Sequence, residues 1–225
     1  MRPITRGPAL RSYMKYSDAQ PDLIKKLGRF CSYCERKIPS GVAVEHKRPK
    51  SKYPLEKLKW DNFLLSCPNC NSTKLDRKIN LSDYLWADTD NTARAFNYTE
   101  HGIVHVNKLL PKRARRKASR TLYMLGLDKH PGSCRKPTDR DYRWQDRRQQ
   151  WEKAVMARDQ LKYHDTPEQR EMILKFAQDG IFSIWMEVFK DDVNMRLSLV
   201  KSFPGTAIDC FDTNCKPVAR VGGFI

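Results

Sequence analysis

The sequence predicts an α+β chain: a small strand, strand, helix module, stapled at its base by four cysteines, embedded in a mainly helical protein. Two observations predict it. Cys31/Cys34 and Cys67/Cys70 form two C-x-x-C pairs with short apolar strand patterns between them. Beyond about residue 108 the chain turns to long charged segments of helical period, broken by Gly126, by Thr166-Pro167 and by Gly180.

Composition sets the outer bounds. The 225 residues carry 43 Lys+Arg against 26 Asp+Glu, a formal charge of +17, which suits a polyanion partner. With 40% apolar residues the chain can build proper cores, which excludes disorder as the main description. A mean hydropathy of −0.72, with no apolar run long enough to span a bilayer, predicts no membrane association. The N-terminal MRPITRGPAL lacks the apolar core of a signal peptide, so a cytoplasmic protein is expected.

Seven cysteines in such a chain point to metal chemistry rather than to a disulfide scaffold. A two-residue knuckle turn aims both thiolates of a pair at one ion, so Cys31, Cys34, Cys67 and Cys70 predict a tetrahedral, structural zinc site with no open position. A thioredoxin-like redox pair is disfavoured, because no strand and helix alternation surrounds either motif. Cys134, Cys210 and Cys215 stand apart; the last two lack a partner pair and read as core or free thiols. His101 and His105 read as hairpin residues around Gly102 rather than as ligands.

The gap between the pairs exceeds the roughly 15–20 residues of a simple ribbon, so something is folded between the knuckles. Val42 and Val44 alternate with Ala43 and Glu45 in a short strand ending at His46. HKRPKSKYP is basic, carries Pro49 and Pro54, and reads as a loop. After the turn-like Trp60-Asp61-Asn62, Phe63 to Leu65 forms a second strand, and Asn71 to about Lys78 a helix.

This run, with Glu45-His46, then Asp61-Asn62-Phe63-Leu64-Leu65, then CPNCNSTK, resembles the HNH endonuclease family and its ββα-metal motif over about residues 28 to 80. The resemblance implies cleavage of nucleic acid to 5′-phosphate and 3′-hydroxyl ends. Hydrolysing a phosphodiester needs a base to activate water and a cation to neutralise growing charge. His46 is the candidate base, since its unperturbed pKa lies near neutrality. Mg2+ or Mn2+ would be the catalytic ion, held by Glu45 and by the side-chain oxygen of Asn71, because such hard cations prefer oxygen and keep several waters. Asn62 is implied either to fix the basic loop or to approach the metal. Glu45 stands where the family more often has Asp, and Asn71 where it often has His. Each residue also has a plain reading: a surface His46, a Glu45 paired with Lys47 or Arg48, Asn62 as a turn residue, Asn71 as a helix cap.

For DNA contact the candidates are Lys47, Arg48, Lys50 and Lys52 in the loop after His46, Lys74 after the second knuckle, and Lys112, Arg113, Arg115 and Arg116 in the acid-free run KLLPKRARRKASR. The chain reads as four segments: an N-terminal helical part (1–27), the nuclease module (28–80), a hairpin and basic-helix region (81–135) and a mainly helical C-terminal part (136–225). Within the last, Asp139 to His164 is read as a helix with Trp144, Trp151, Val155 and Leu161 on one face, and IFSIWMEVF as core or, less readily, a partner surface.

The segments TLYMLGLDKHP, GIFSIWMEVF and SFPGTAIDCFD more loosely resemble the HNH subunit of Septu-type antiphage defence systems, which implies an ATPase partner. No Walker-type loop is present, so ATP hydrolysis is not expected of this chain. The competing reading is a non-catalytic zinc-ribbon module that binds nucleic acid or a partner. Glu45, His46, Asn62 and Asn71 together distinguish the two, since a pure binder has no need of that set. Charge alone does not separate DNA from RNA.

Overall fold

The computed structural model describes residues 1–225. Seven helices and two small sheets make up the chain, with the strand, strand, helix module near its N-terminal end. Strand β1 (Ala43–His46) pairs antiparallel with β2 (Phe63–Ser66), placing Glu45 opposite Leu64 and His46 opposite Phe63. All four residues of β2, the apolar Phe63, Leu64 and Leu65 and the polar Ser66, are buried.

Helix α1 (Gln20–Leu27) precedes the module and matches the expected short helix, with Pro21 in its first turn and Gly28, at φ 71°, ending it. Helix α2 (Pro68–Lys74) starts earlier than the sequence predicts and ends sooner. Pro68 takes the first helical position and the Cys67 sulfur accepts from the Cys70 N–H, so the knuckle is itself the helix start. Leu75, at φ 59°, stops it.

Downstream come a hairpin of β3 (Phe96–Tyr98) and β4 (Val104–Val106), then α3 (Lys112–Leu125), α4 (Arg143–Leu161), α5 (Pro167–Ala177), α6 (Phe182–Val188) and α7 (Val193–Ser202). His101 and His105 are exposed on that hairpin, as predicted. Gly102 at its turn has φ 70°, and a Cβ there would lie 2.6 Å from the Trp144 carbonyl oxygen, so only glycine lets α4 pack this closely. Thr166 caps α5 by accepting from the Gln169 N–H, at the Thr166-Pro167 break the sequence marks.

One feature of the helical part differs from expectation and one agrees with the preferred reading. On α4 the buried positions are Arg143, Arg147, Ala154 and Ala157, while Trp144, Trp151, Val155 and Leu161 are only half-buried. The arginines turn inward because carbonyls and a cysteine sulfur await them there: Arg147 Nε donates to the Gly102 carbonyl at 2.6 Å, and Arg143 reaches the knuckle. In IFSIWMEVF, Ile181, Phe182, Ile184, Trp185, Met186, Val188 and Phe189 are all buried, so the segment is core rather than a partner surface. One contiguous cluster of 49 buried apolar residues draws members from all four segments.

Candidate active site and metal centre

The knuckles bring four sulfurs together. Cys31, Cys34, Cys67 and Cys70 are buried, their ligand atoms lie within 4.8 Å of one another, and Cys34 Sγ stands 3.7 Å from Cys67 Sγ. They are positioned to bind one metal ion. Cys210 and Cys215, also buried, remain free thiols apart from this cluster. Cations surround the sulfurs: Arg143 Nη1 donates to Cys70 Sγ at 3.2 Å, and Arg36, bonded to Asn69 and paired with Asp146 at 3.0 Å, lies against Cys34 and Cys67. Two guanidinium groups offset the net negative charge that four thiolates around a divalent ion would carry.

Above this base a cleft of about 480 Å³ opens between α1's approach, β1 and α2, with Glu45, His46, Asn71, Lys74, Tyr16 and Asp76 on its walls. His46 reaches it from the end of β1. Its ring packs edge-on against Phe63 and Tyr16, with centroids 5.2 and 5.0 Å away, and its Nε2 lies 3.0 Å from the Lys57 carbonyl oxygen. A carbonyl only accepts, so Nε2 carries the proton and Nδ1 is left as the acceptor. Burial, helped by the charges of Lys50, Lys74 and Lys57, lowers the His46 pKa below 6.5 against the opposing pull of the Lys57 carbonyl. The imidazole is therefore neutral at pH 7, the form a base requires.

Asn62 is buried and spends its amide on the loop: Oδ1 accepts from the Arg48 N–H at 2.7 Å, and Nδ2 donates to the carbonyls of Arg48 at 2.9 Å and Glu56 at 3.2 Å. Of the two roles the sequence leaves open, the geometry favours fixing the loop. Asn71 lies one turn into α2, exposed on the cleft wall, and is not its cap. Glu45 pairs not with Lys47 or Arg48 but with Lys74, Nζ to Oε1 2.8 Å. Burial raises its pKa, and Lys74 opposes the rise. A carboxylate and an amide oxygen lining one cleft form an oxygen donor set suited to a hard divalent cation.

Two predicted DNA contacts are corrected. Lys74 is 3% exposed and donates to both Glu45 and the His46 carbonyl, and Lys47 is 4% exposed with its Nζ 2.6 Å from Asp88 Oδ2. Neither ammonium is presented to an approaching phosphate. Arg48 is half-buried, paired with Glu56 at 2.5 Å and lying over the Tyr53 ring. Lys50 and Lys52 are exposed, Lys50 resting 4.0 Å over the Tyr16 ring. On α3, Lys112, Arg113, Arg115 and Arg116 are all exposed.

The residues that sequence reasoning missed act from a distance. Arg6 donates to the carbonyls of Trp60, Asp61 and Phe63, clamping the turn that carries Asn62. It also pairs with Asp88 at 2.6 Å, and Asp88 holds Lys47, the residue after His46. Nothing in the local sequence marks Arg6 or Asp88. Asp76, a few residues beyond Asn71, was in reach of a reading that scanned past the knuckle.

With this geometry in place, comparison with known families gives one match, to HNH endonuclease over residues 31–77. No curated protein matches the chain. The HNH match begins at Cys31 and ends just past α2, so it covers both knuckles, β1, β2 and α2. A nuclease acting on nucleic acid is what the domain indicates. No helix of the chain is long and apolar enough to cross a membrane.

Proposed function

We propose that the chain is a metal-dependent endonuclease that hydrolyses DNA phosphodiester bonds at the Glu45, His46 and Asn71 cleft. The observation that carries the reading is the His46 tautomer: Nε2 is fixed on the Lys57 carbonyl and Nδ1 stays free on a ring whose lowered pKa keeps it neutral. His46 Nδ1 takes a proton from water as the oxygen attacks phosphorus, the P–O3′ bond breaks, and the departing O3′ takes a proton from a second water to become the 3′-hydroxyl. Glu45 and Asn71 would hold Mg2+ or Mn2+, which when bound neutralises charge on the phosphate and on the leaving oxygen. Asn62 is a positioning residue that keeps the Arg48 to Glu56 loop in place beside the histidine.

The four cysteines would hold zinc. A tetrahedron with Zn–S bonds of about 2.3 Å has edges of about 3.8 Å, close to the 3.7 Å between Cys34 and Cys67 sulfurs. Four thiolates complete that ion's shell, which makes this site structural and leaves catalysis to the cleft.

Phosphate contacts fall to Lys50 and Lys52 beside the cleft and to Lys112, Arg113, Arg115 and Arg116 on α3, with affinity that falls steeply as salt rises. The looser resemblance to the Septu nuclease subunit supports an antiphage role in complex with an ATPase. With IFSIWMEVF buried, that partner would meet the exposed faces of the C-terminal helices rather than α6.

The test is plasmid cleavage by purified protein with Mg2+, with EDTA and with His46→Ala, with zinc measured on each preparation. Mg2+-dependent cleavage lost in a zinc-loaded His46→Ala protein is expected. Cleavage that persists at full rate in that variant refutes the assignment.

A further inference from the structure

A second cavity, of about 380 Å³, opens where the β3–β4 hairpin, α6, the start of α7 and the C-terminal segment meet, and it shares no lining residue with the catalytic cleft. Its size falls within the roughly 300–1,000 Å³ of small-molecule sites. Phe96, Phe182, Met186, Phe211 and Leu110 provide apolar and aromatic walls, while Arg94, Lys190 and Arg196 bring three cations against a single acid, Glu187.

Most other polar groups of the wall are already spent. Tyr98 and Ser183 hydroxyls donate to the buried Glu35 carboxylate at 2.8 and 2.9 Å. The Asn107 side chain donates to the Arg94 carbonyl and accepts from the Leu109 N–H, both at 3.0 Å. The cations are different. Arg196 bonds only to backbone, at the Cys215 carbonyl and, 3.5 Å away, the Lys190 carbonyl, while its buried Nε has no partner. Arg94 and Lys190 form no ion pair, and their side chains make no hydrogen bond, so all three cations on this wall lack a carboxylate partner. A cavity that combines uncompensated guanidinium with aromatic wall asks for an anion attached to a flat apolar body. Inorganic phosphate would leave the aromatic wall uncovered, and a simple fatty anion would leave Glu187 without a donor.

We propose that this cavity binds a mononucleotide, with its phosphate on Arg196, Lys190 and Arg94, its base against the aromatic wall and Glu187 accepting from base N–H or sugar hydroxyl. The charge-assisted contacts supply affinity and the ring contacts supply class. Binding here is independent of the nuclease chemistry, since it uses none of its residues.

Isothermal titration of the full chain with 5′-AMP, 5′-CMP, adenosine and inorganic phosphate tests the proposal. Saturable binding of at least one nucleotide is expected, with phosphate and adenosine each weaker, and with affinity reduced about tenfold or more by Arg196→Met or Lys190→Met, the loss of one charged contact. Lys153→Met, on the exposed face of α4 outside the cavity, should leave it unchanged. Lys190 is exposed with no internal partner, so Lys190→Met keeps the test decisive if Arg196→Met fails to fold. No saturable nucleotide binding at millimolar concentration overturns the proposal. Phosphate binding as tightly as either nucleotide overturns the ligand class, and undiminished binding by a folded Lys190→Met overturns the site.

Discussion

Replacing Asp88 by alanine should be among the most destabilising single changes in this protein, although Asp88 touches no reacting group. Its side chain is 1% exposed and its Oδ2 accepts from both Arg6 and Lys47 at 2.6 Å, while those two side chains are themselves only 9% and 5% exposed. Removing the carboxylate leaves Lys47 buried with no ion-pair partner and Arg6 with only the exposed Asp61, 3.8 Å away, a change that typically costs about 3–5 kcal/mol. Against a total stability of about 5–15 kcal/mol this is a large share. The damage is directed at the candidate active site, because Arg6 also holds the Trp60 to Phe63 turn and the Lys47 N–H donates to the Asn62 carbonyl at 2.8 Å. Burial already pulls the Lys47 pKa below 10.5 against the opposing effect of Asp88. Without Asp88 it falls further, which caps the penalty near the lower end of the range. Urea unfolding should show a lower midpoint at unchanged slope, and adding Lys47→Met to Asp88→Ala should recover part of the loss, because one stranded cation is removed. An Asp88→Ala protein within about 1 kcal/mol of the parent, the level of an exposed ion pair, would refute the reasoning.

Four further outcomes are expected. Asn62→Ala removes three buried hydrogen bonds and should cost about 2–4 kcal/mol by urea unfolding, with cleavage falling even under conditions where the variant is fully folded; full activity in such a variant would show that the loop holds itself. The cleavage rate at saturating Mg2+ should rise with pH to a plateau through a midpoint below 6.5, since burial disfavours the imidazolium of His46, and a midpoint above 7 would contradict the burial argument. The same depression acts on stability: as pH falls below 6.5 the unfolded chain takes up a proton that folded His46 resists, so acid weakens the fold down to the lowered pKa. Stripping the cysteine-bound metal should loosen α4, because Arg143 bridges Cys70 Sγ, the Leu125 carbonyl at 2.7 Å and Asp141; changed Trp144 and Trp151 fluorescence together with new proteolytic cuts near residues 128–142 are expected, and an unchanged digest would count against that coupling.

What was legible in the sequence was local. Two knuckles, a strand ending at Glu45-His46, a turn at Trp60 to Asn62, an apolar strand and a polar residue after the last cysteine follow one another over a short stretch, and each is fixed by spacing, by alternation or by a turn residue. The hairpin around Gly102, the Gly126 stop of α3 and the Thr166 cap were readable for the same reason. The start of α2 was misplaced because the knuckle and the first helical turn are one structure: Cys67 is both ligand and cap.

Partner choice was settled only by the tertiary structure. A lysine reads as a positive charge in sequence whether it meets solvent, as Lys50 and Lys52 do, or a buried carboxylate, as Lys47 and Lys74 do. Arg6 reaches across more than fifty residues to the turn that carries Asn62, and Arg143 across more than seventy to Cys70; such pairs leave no periodic trace. Helix α4 shows the same limit, since its tryptophans promised the buried face and its arginines took it. The chain alone therefore marked Glu45, His46, Asn62 and Asn71 as one candidate set, because their order follows from short-range backbone geometry. Which charges stay free to meet a phosphate, and which are spent holding the histidine in place, was decided by long-range packing, where burial makes an unpaired charge too costly to leave alone.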